Sequence, residues 1–431
     1  VSNNEYYVSL DIGTSAVKVV IAELVHDSIN IIGVGNVKSE GIRKGSIVDI
    51  DETVRSIQKA VDQAERMTGL SIHNVIVGIP ANHIALQPCH GVVAVSTEDK
   101  EIRDEDIARV IDAAQVMPVS PEREIINIIP RQFIVDGLDE IKDPRGMIGV
   151  RLELEGTVVT GSKTMLHNIL RCVEKAGLEV ADIFLQPLAA GTVALSKDEQ
   201  DLGTAIVDIG GGSTSIAVFE QGHLIAASSI PAGGDHITKD LSIGLRTTTD
   251  DAETIKKKHG HAFYDYASED EVFSVPIIGS DQHQQFNQLE ISDIIEVRME
   301  ELFDLVLHEL KRLNIHDLPG GFVLSGGSAS MPGVLDLAQA VLQNQVRVAV
   351  PDYIGVREPQ YTTAVGLIKY AYKHAKLQGK YEKQPSATEY DNSHDYPVKK
   401  QKSPDAGPKQ QKPKQKNEEG RFKKLFGYFF E

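Results

Sequence analysis

Cysteine is nearly missing from this chain of 431 residues, which holds only Cys89 and Cys172. Two thiols cannot build a disulfide framework and no C-x-x-C zinc pattern is present, so free thiols in a reducing cytosol are expected. Long apolar runs are missing too. No stretch approaches the roughly 18 consecutive apolar residues of a membrane-crossing helix, and the N-terminus lacks the charged-then-apolar pattern of a signal peptide. Positive charge is in deficit, with 44 Lys+Arg against 62 Asp+Glu and a formal net charge of −18. A chain of that sign repels phosphate backbones, which excludes a DNA- or RNA-wrapping role.

The deficit is uneven. Residues 373–431 carry 14 basic and 8 acidic side chains, leaving 30 and 54 for residues 1–372, so a −24 body is joined to a +6 tail. The body is long enough for two to four domains with substantial cores. Within the tail, residues 379–419 are nearly devoid of apolar side chains, and 399–416 hold seven lysines against the single acid Asp405. Such a segment buries too little to offset its ordering entropy and is expected to be a disordered linker.

The body reads as an α/β protein. A strand at Tyr6–Leu10 runs into Asp11-Ile12-Gly13 and is followed by strands at Val17–Ala22 and Ile29–Val34. A helix is predicted from about Asp51 to Met67, with Asp51 as its cap, Val54, Ile57 and Val61 as its core stripe and Gly69 as its stop. Asn74–Ile79 is a short buried strand ended by Pro80. Residues 81–160 change texture: alternating runs at 92–95, 125–129, 132–135 and 148–154 surround one helix near 104–116, the pattern of a small α+β insertion. A helix at Thr164–Ala176 resumes the earlier style, 234–313 is helix-rich, and Tyr361–Leu377 is the last folded helix. The segment GTAIVDIGGGSTSIAVFE (203–220) repeats the form of YVSLDIGTSAVKVVIAEL (7–24), and a third strand follows each, at Ile29–Val34 and Leu224–Ser228. Asp11 and Asp208 lie 197 residues apart, too far for a solenoid, so the spacing predicts a duplicated domain.

Each Asp-Ile-Gly turn has a chemical logic. Small residues let backbone N–H groups approach phosphate oxygens, and an aspartate at the end of the preceding strand can hold a hydrated Mg²⁺ beside them. Thr14 and Ser15 add hydroxyls, Gly210, Gly211 and Gly212 open the second turn, and Lys18 on the next strand can neutralise phosphate charge. Either turn alone is an ordinary β-turn. The pair, joined by a third glycine turn in SGGSASMP (325–332), resembles the actin, Hsp70 and sugar-kinase superfamily. That resemblance implies two related, ribonuclease-H-like domains facing each other across an ATP cleft.

The resemblance also implies roles. Asp11, Gly13, Thr14, Ser15 and Lys18 form one phosphate loop, and Gly210, Gly211, Gly212 and Ser213 the other, with Asp11 and Asp208 holding Mg²⁺ through water. Gly326, Gly327 and Ser328 fall near the purine and ribose, while Glu253, Lys256 and Lys257, in and after AETIK (252–256), meet the ribose and adenine. Gln186 of LQPLAAG (185–191) matches the position that orients the attacking water. A glutamine positions water but cannot accept its proton, so any ATP hydrolysis resting on Gln186 and Asp208 is expected to be slow. Read without the superfamily, Glu253 and Lys256 are an exposed pair on a solvated helix face, and Gln186 is a helix-start residue before Pro187.

The whole chain narrows the choice. An Hsp70-type chaperone needs a large peptide-binding domain after residue 372, where a polar tail is read instead, and no acid is placed as a sugar kinase's general base, so neither class is expected. The insertion at 81–160, SLDIGTSAVKVV, GVGNVKSEGIRKGSIVDI (33–50), LQPLAAG, GGDHITKDLSIGL (233–245) and the basic-aromatic end resemble the FtsA family of actin-like bacterial cell-division proteins, over about 5–378 and again at 420–431. The resemblance implies a first actin-like domain at 1–80 and 161–203, an inserted domain at 81–160, a second actin-like domain at 204–236 and 314–378, and a helical subdomain at 237–313. It further implies ATP-dependent self-assembly into filaments, contacts of the inserted domain with neighbouring subunits or later division proteins, and a place at the cytoplasmic face of the cell membrane at the division septum. The C-terminal tail of the tubulin-like FtsZ would dock on the helical subdomain, where Arg298 in the 291–302 region can meet a tail carboxylate. On its own, Arg298 reads as a solvated arginine beside Glu296 and Glu300.

After the linker comes RFKKLFGYFFE (421–431), which holds five of the chain's 24 aromatic residues. At the helical period, Leu425, Phe429, Phe422, Phe426 and Phe430 share one contiguous face of roughly 140°, with Arg421, Lys423 and Lys424 on the other side. This pattern predicts an amphipathic helix lying in an anionic membrane surface. Each basic residue contributes about 1 kcal/mol there, and each apolar side chain at most roughly 1.5–3 kcal/mol. Gly427 opposes folding by about 1 kcal/mol, so one anchor is marginal and many on a filament bind together. The competing readings are a cytosolic actin-fold ATPase or kinase with a solubilising tail, and a pilus-type actin-like adaptor.

Overall fold

The computed structural model describes residues 5–280, 282–377 and the backbone of 387–389. The terminal helix expected at 420–431 lies outside the described residues, and so does the linker apart from the short strand Ala387–Glu389. Three strands, β1 (Glu5–Ile12), β2 (Ala16–Val25) and β3 (Ser28–Lys38), form an antiparallel meander. Two more, β4 (Asn74–Ile79) and β5 (Glu179–Leu185), add in parallel on the far side of β1, giving the order β5-β4-β1-β2-β3. Val8, Ser9 and Leu10 are all fully buried, so both faces of β1 are covered, as a central strand requires.

Helix α1 (Ile50–Thr68) covers one face through Val54, Ile57, Ala60, Val61 and Ala64, a helical stripe. It comes so close to β3 that a Cβ on Gly35 would sit 1.9 Å from the Ala60 carbonyl oxygen. The predicted cap is corrected. Asp49 caps the helix by accepting a hydrogen bond from the Glu52 amide, whereas Asp51 is a helical residue whose charge favours the first turn. Gly69 ends the helix at φ 72°, as expected.

The second domain repeats the first. Its strands β6 (Thr204–Ile209), β7 (Thr214–Glu220), β8 (His223–Ile230), β9 (Phe322–Ser325) and β10 (Val346–Val348) take the order β8-β7-β6-β9-β10, with the same antiparallel and parallel neighbours. Even the turns agree in detail. The Gly13 amide donates to the Ala16 carbonyl at 3.1 Å, and the Gly210 amide donates to the Ser213 carbonyl at 3.1 Å.

Each domain lends a helix to the other. Helix α2 (Gln186–Ala194) follows the first sheet but packs on the second, with Gly191 directly against the Phe219 ring. The last helix of the body, Thr362–Leu377, follows the second sheet but seals the first through Ala364, Leu367, Ile368 and Ala371. The two helices cross at Gly366, where a Cβ would lie 2.2 Å from the Ala189 carbonyl oxygen. They form the floor between the domains.

The insertion is a four-stranded antiparallel sheet of Ala85–Ala94, Arg123–Val135, Leu138–Ile141 and Arg151–Ser162. The helix Asp104–Ala114 covers one face through Ile107, Val110 and Ile111, which pack on Phe133, Leu152 and Leu154. On the second domain, helices α3 (Gly234–Gly244), α4 (Thr249–His259) and α5 (Gln288–Arg312) form the expected helical part. It also contains a hairpin, Val272–Pro276 with His283–Asn287, that was not expected. Only Val275 of that hairpin is fully buried, so it carries no apolar alternation to announce it.

Candidate nucleotide cleft

Because β1 and β6 are central strands of duplicated sheets, their C-terminal ends and following turns open onto one cleft of about 850 Å³ between the domains. Every residue nominated for nucleotide contact lines it: Asp11, Gly13, Thr14, Ser15, Lys18, Gln186 and Asp208, the 210–213 turn, Glu253, Lys256, Lys257, Gly326, Gly327 and Ser328. The aspartates end their strands in matching registers, Asp11 opposite Lys18 and Asp208 opposite Ser215.

Asp11 is the hub of one side. Its carboxylate accepts from Lys18 Nζ at 3.2 Å and from Gln186 Nε2 at 2.8 Å, which ties the glutamine to the cleft end of β1. Asp208 accepts from the Ser325 hydroxyl at 3.1 Å and the Thr363 hydroxyl at 3.2 Å. Burial pushes the Asp208 carboxyl above its ordinary range, and the nearby Asp11 charge pushes it further. Burial works against the Lys18 ammonium, but Asp11 and Asp208 outweigh it and hold its pKa above the usual lysine value.

The two Asp-Ile-Gly turns touch each other. A Cβ on Gly211 would lie 1.7 Å from Ser15 Oγ, and one on Gly212 would lie 2.6 Å from a Thr14 methyl. Only bare backbone permits this approach. Ser15 donates to Asp235 at 3.4 Å, while the Gly234 and Asp235 amides bond back to the Gly210 and Gly211 carbonyls at 2.9 Å each. Lys38 reaches Asp250 at 3.0 Å across the mouth, an exposed pair of small energetic weight.

The residues nominated for the ribose and adenine divide. Lys256 is buried and donates to the Gly234 carbonyl (2.9 Å), the Thr238 hydroxyl (2.7 Å) and the Glu253 carboxylate (2.6 Å). All three of its ammonium protons are engaged, so it braces α3 against α4 at the cleft wall and is not the solvated helix-face residue of the simpler reading. Burial raises the Glu253 carboxyl, but Lys256 and the hydrogen bonds of Thr238 and Lys257 overcome that and hold it low. Lys257, largely exposed, pairs with Glu253 at 3.1 Å. Gly326 needs its glycine: φ is 89° and a Cβ would sit 2.5 Å from the Ile209 carbonyl oxygen. Gly327 meets no such constraint, since a Cβ there would have nothing within 4 Å.

Sequence reading missed Asp235, Thr238, Ser325 and Thr363. The first two sit in GGDHIT, whose glycine pair marks a close backbone approach. Thr363 lies 155 residues from Asp208, and no local pattern links them. Arg298 lies on α5 outside the cleft, where it is paired with Asp240 and Glu301 and not with Glu296 or Glu300. Among the described residues no cluster of three or more His, Cys, Asp or Glu could hold a metal by itself, and no helix is long and apolar enough to cross a membrane.

Two five-stranded sheets of one topology, exchanging helices around a cleft lined by paired Asp-Ile-Gly turns, define the actin-like ATPase fold. Solved structures share that fold. The PilM-PilN type IV pilus biogenesis complex aligns with a TM-score of 0.58 at 17% identity over 84% of this chain and 97% of that one. MreB5 of Spiroplasma citri bound to AMPPNP aligns at 0.54 and 14% identity over 87% and 98%. Sequence comparison is more particular. A family model described as "Cell division protein FtsA" matches residues 205–366, and one described as "SHS2 domain inserted in FTSA" matches 81–160. "Cell division protein FtsA" of Bacillus subtilis (strain 168) is 63% identical over 88% of this chain and 86% of its own. The protein of that name from Pseudomonas aeruginosa is 39% identical over 86% and 90%. The chain belongs to the FtsA family of cell division proteins.

Proposed function

We propose that this protein is an ATP-binding, self-assembling scaffold that ties FtsZ to the cytoplasmic face of the membrane at the division septum. The observation that carries the nucleotide half is the meeting of two matching glycine turns across one cleft, each backed by a strand-end aspartate. Backbone amides of 13–15 and 210–213 would take the phosphates, and Lys18 would balance their charge. Two carboxylates beside polyphosphate repel it unless a cation intervenes. Asp11 and Asp208 are oxygen acceptors that would hold a hydrated Mg²⁺ through its water; bound there, it would supply charge neutralisation. Asp11 also orients the Gln186 amide, leaving the amide oxygen to accept from a water at the phosphate end, an arrangement that positions water without removing its proton. Slow hydrolysis follows.

The body is proposed to divide into a first domain (1–80, 161–203), an inserted domain (81–160), a second domain (204–236, 314–378) and a helical subdomain (237–313), a reading supported by the two five-stranded sheets and the separate four-stranded sheet between them in sequence. The inserted domain is proposed to meet neighbouring subunits and later division proteins. The FtsZ tail is proposed to dock near Arg298, where a tail carboxylate must displace Asp240 or Glu301. The membrane half rests on the 421–431 pattern, and the acidic body makes the basic-aromatic end the part that an anionic surface attracts. Pelleting with anionic liposomes tests it. The full chain is expected to pellet and Phe426→Glu to stay in solution; equal pelleting of the two would remove the membrane reading while leaving the cleft untouched.

A further inference from the structure

A second groove, of about 710 Å³, lies between the outer edge of β8 and the entry to the insertion at 81–86, and only the 44–46 segment separates it from the nucleotide cleft. Ile225 to Ser229 of β8 form one wall, and Lys44, His83 and Arg312 stand on its rim.

The wall is a strand edge without a backbone partner. In its sheet β8 pairs only with β7, and no backbone hydrogen bond joins 225–230 to the 81–86 segment. By the alternation of an antiparallel strand, every second residue of β8 turns its N–H and C=O outward. Natural edges are protected by charge, proline, a bulge or a cover. HLIAASSI (223–230) has no Lys, Arg, Asp, Glu or Pro. Its one bulge, at Ile225, leaves Ala226 to Ile230 in regular register and Ile225 itself 42% exposed.

The charge is the reverse of the body's. In a chain of net −18, the groove lining contains no Asp or Glu. Arg312 is bound to Glu309, but Lys44 is exposed and forms no ion pair among the described residues. We propose that this groove binds an extended acidic peptide segment of a partner protein, which adds to the outer edge of β8 as a sixth strand of the second sheet and sets its carboxylates against Lys44 and His83. The chain's own lysine-rich 399–416 segment has the wrong sign for it.

Fluorescence anisotropy of the full chain, its cleft saturated with an ATP analogue, tests this with two labelled probes, Glu-Val-Glu-Val-Glu-Val and Lys-Val-Lys-Val-Lys-Val. Net charge alone favours the lysine peptide, so the expected preference of about tenfold for the glutamate peptide reports the groove. Ile225→Lys guards the edge and is expected to weaken binding about fivefold or more without altering analogue affinity. Lys44→Glu is expected to abolish the preference. Hydrogen exchange should slow at amides within 226–230 when the glutamate peptide binds. Preference for the lysine peptide, no binding of either, glutamate-peptide binding unchanged in both variants, or displacement by inorganic phosphate with no amide protection would each overturn the proposal.

Discussion

Lys18 is set between Asp11 and Asp208, and removing its charge is the sharpest perturbation the cleft offers. The Lys18 and Asp11 side chains are only 13% and 8% exposed. Deleting one member of such a buried pair leaves the other unpaired and costs about 3–5 kcal/mol. Lys18→Met should therefore lower stability by about 3 kcal/mol, a fall of roughly 6–12 °C in Tm for a domain of this size. The loss should depend on pH. A carboxyl whose folded pKa is raised, as at Asp208, makes the native state bind more protons than the unfolded one, so stability is greatest below the ordinary value of 3.8 and falls as pH rises through the folded value. Removing Lys18 raises Asp208 further, so the variant's deficit should be small near pH 4 and largest at neutral pH. Adding Asp11→Asn should restore most of it. Calorimetry on the single and double variants decides: a shift under about 1 °C, or a double variant no better than the single, refutes the electrostatic reading of the cleft.

Gly211→Val should cost ATP-analogue affinity about tenfold or more in a filter-binding assay with little change in Tm, because its side chain meets Ser15 where the turns must close. Arg347 donates to both Glu199 oxygens and holds that carboxyl down at about 2. A depressed carboxyl stabilises above its unfolded value of 4.5 and loses that contribution as pH falls toward 2; Arg347→Ala should thus lower stability by about 1 kcal/mol at pH 7, with the gap closing in acid denaturation below pH 4.5. Arg298→Glu should weaken binding of an FtsZ C-terminal peptide about tenfold while Glu301→Gln, which frees the arginine, strengthens it; titration calorimetry reads both.

The duplicated meander was legible because each copy writes its register locally: an apolar strand, Asp-Ile-Gly, then another apolar strand. Strands β5 and β10 were not, since β5 buries only its last two residues fully and β10 is three residues long. The insertion announced itself by alternation, and its family match covers the same 81–160 span that the texture marks. Within the cleft, the glycine turns were readable because they need small residues at fixed spacing. Lys256 was named as a contact, but its burial depends on Gly234 and Thr238 lying on another helix, and composition cannot show that. The Asp208–Thr363 bond, likewise, joins residues 155 apart that only the folded chain brings together.

The most direct test of the scaffold reading is co-sedimentation of FtsZ with anionic liposomes in the presence of the full chain. FtsZ should pellet when the full chain and ATP are both present, and should remain in solution when Phe426→Glu replaces the wild type. FtsZ pelleting equally with the variant, or failing to pellet with the wild type and ATP, would contradict it.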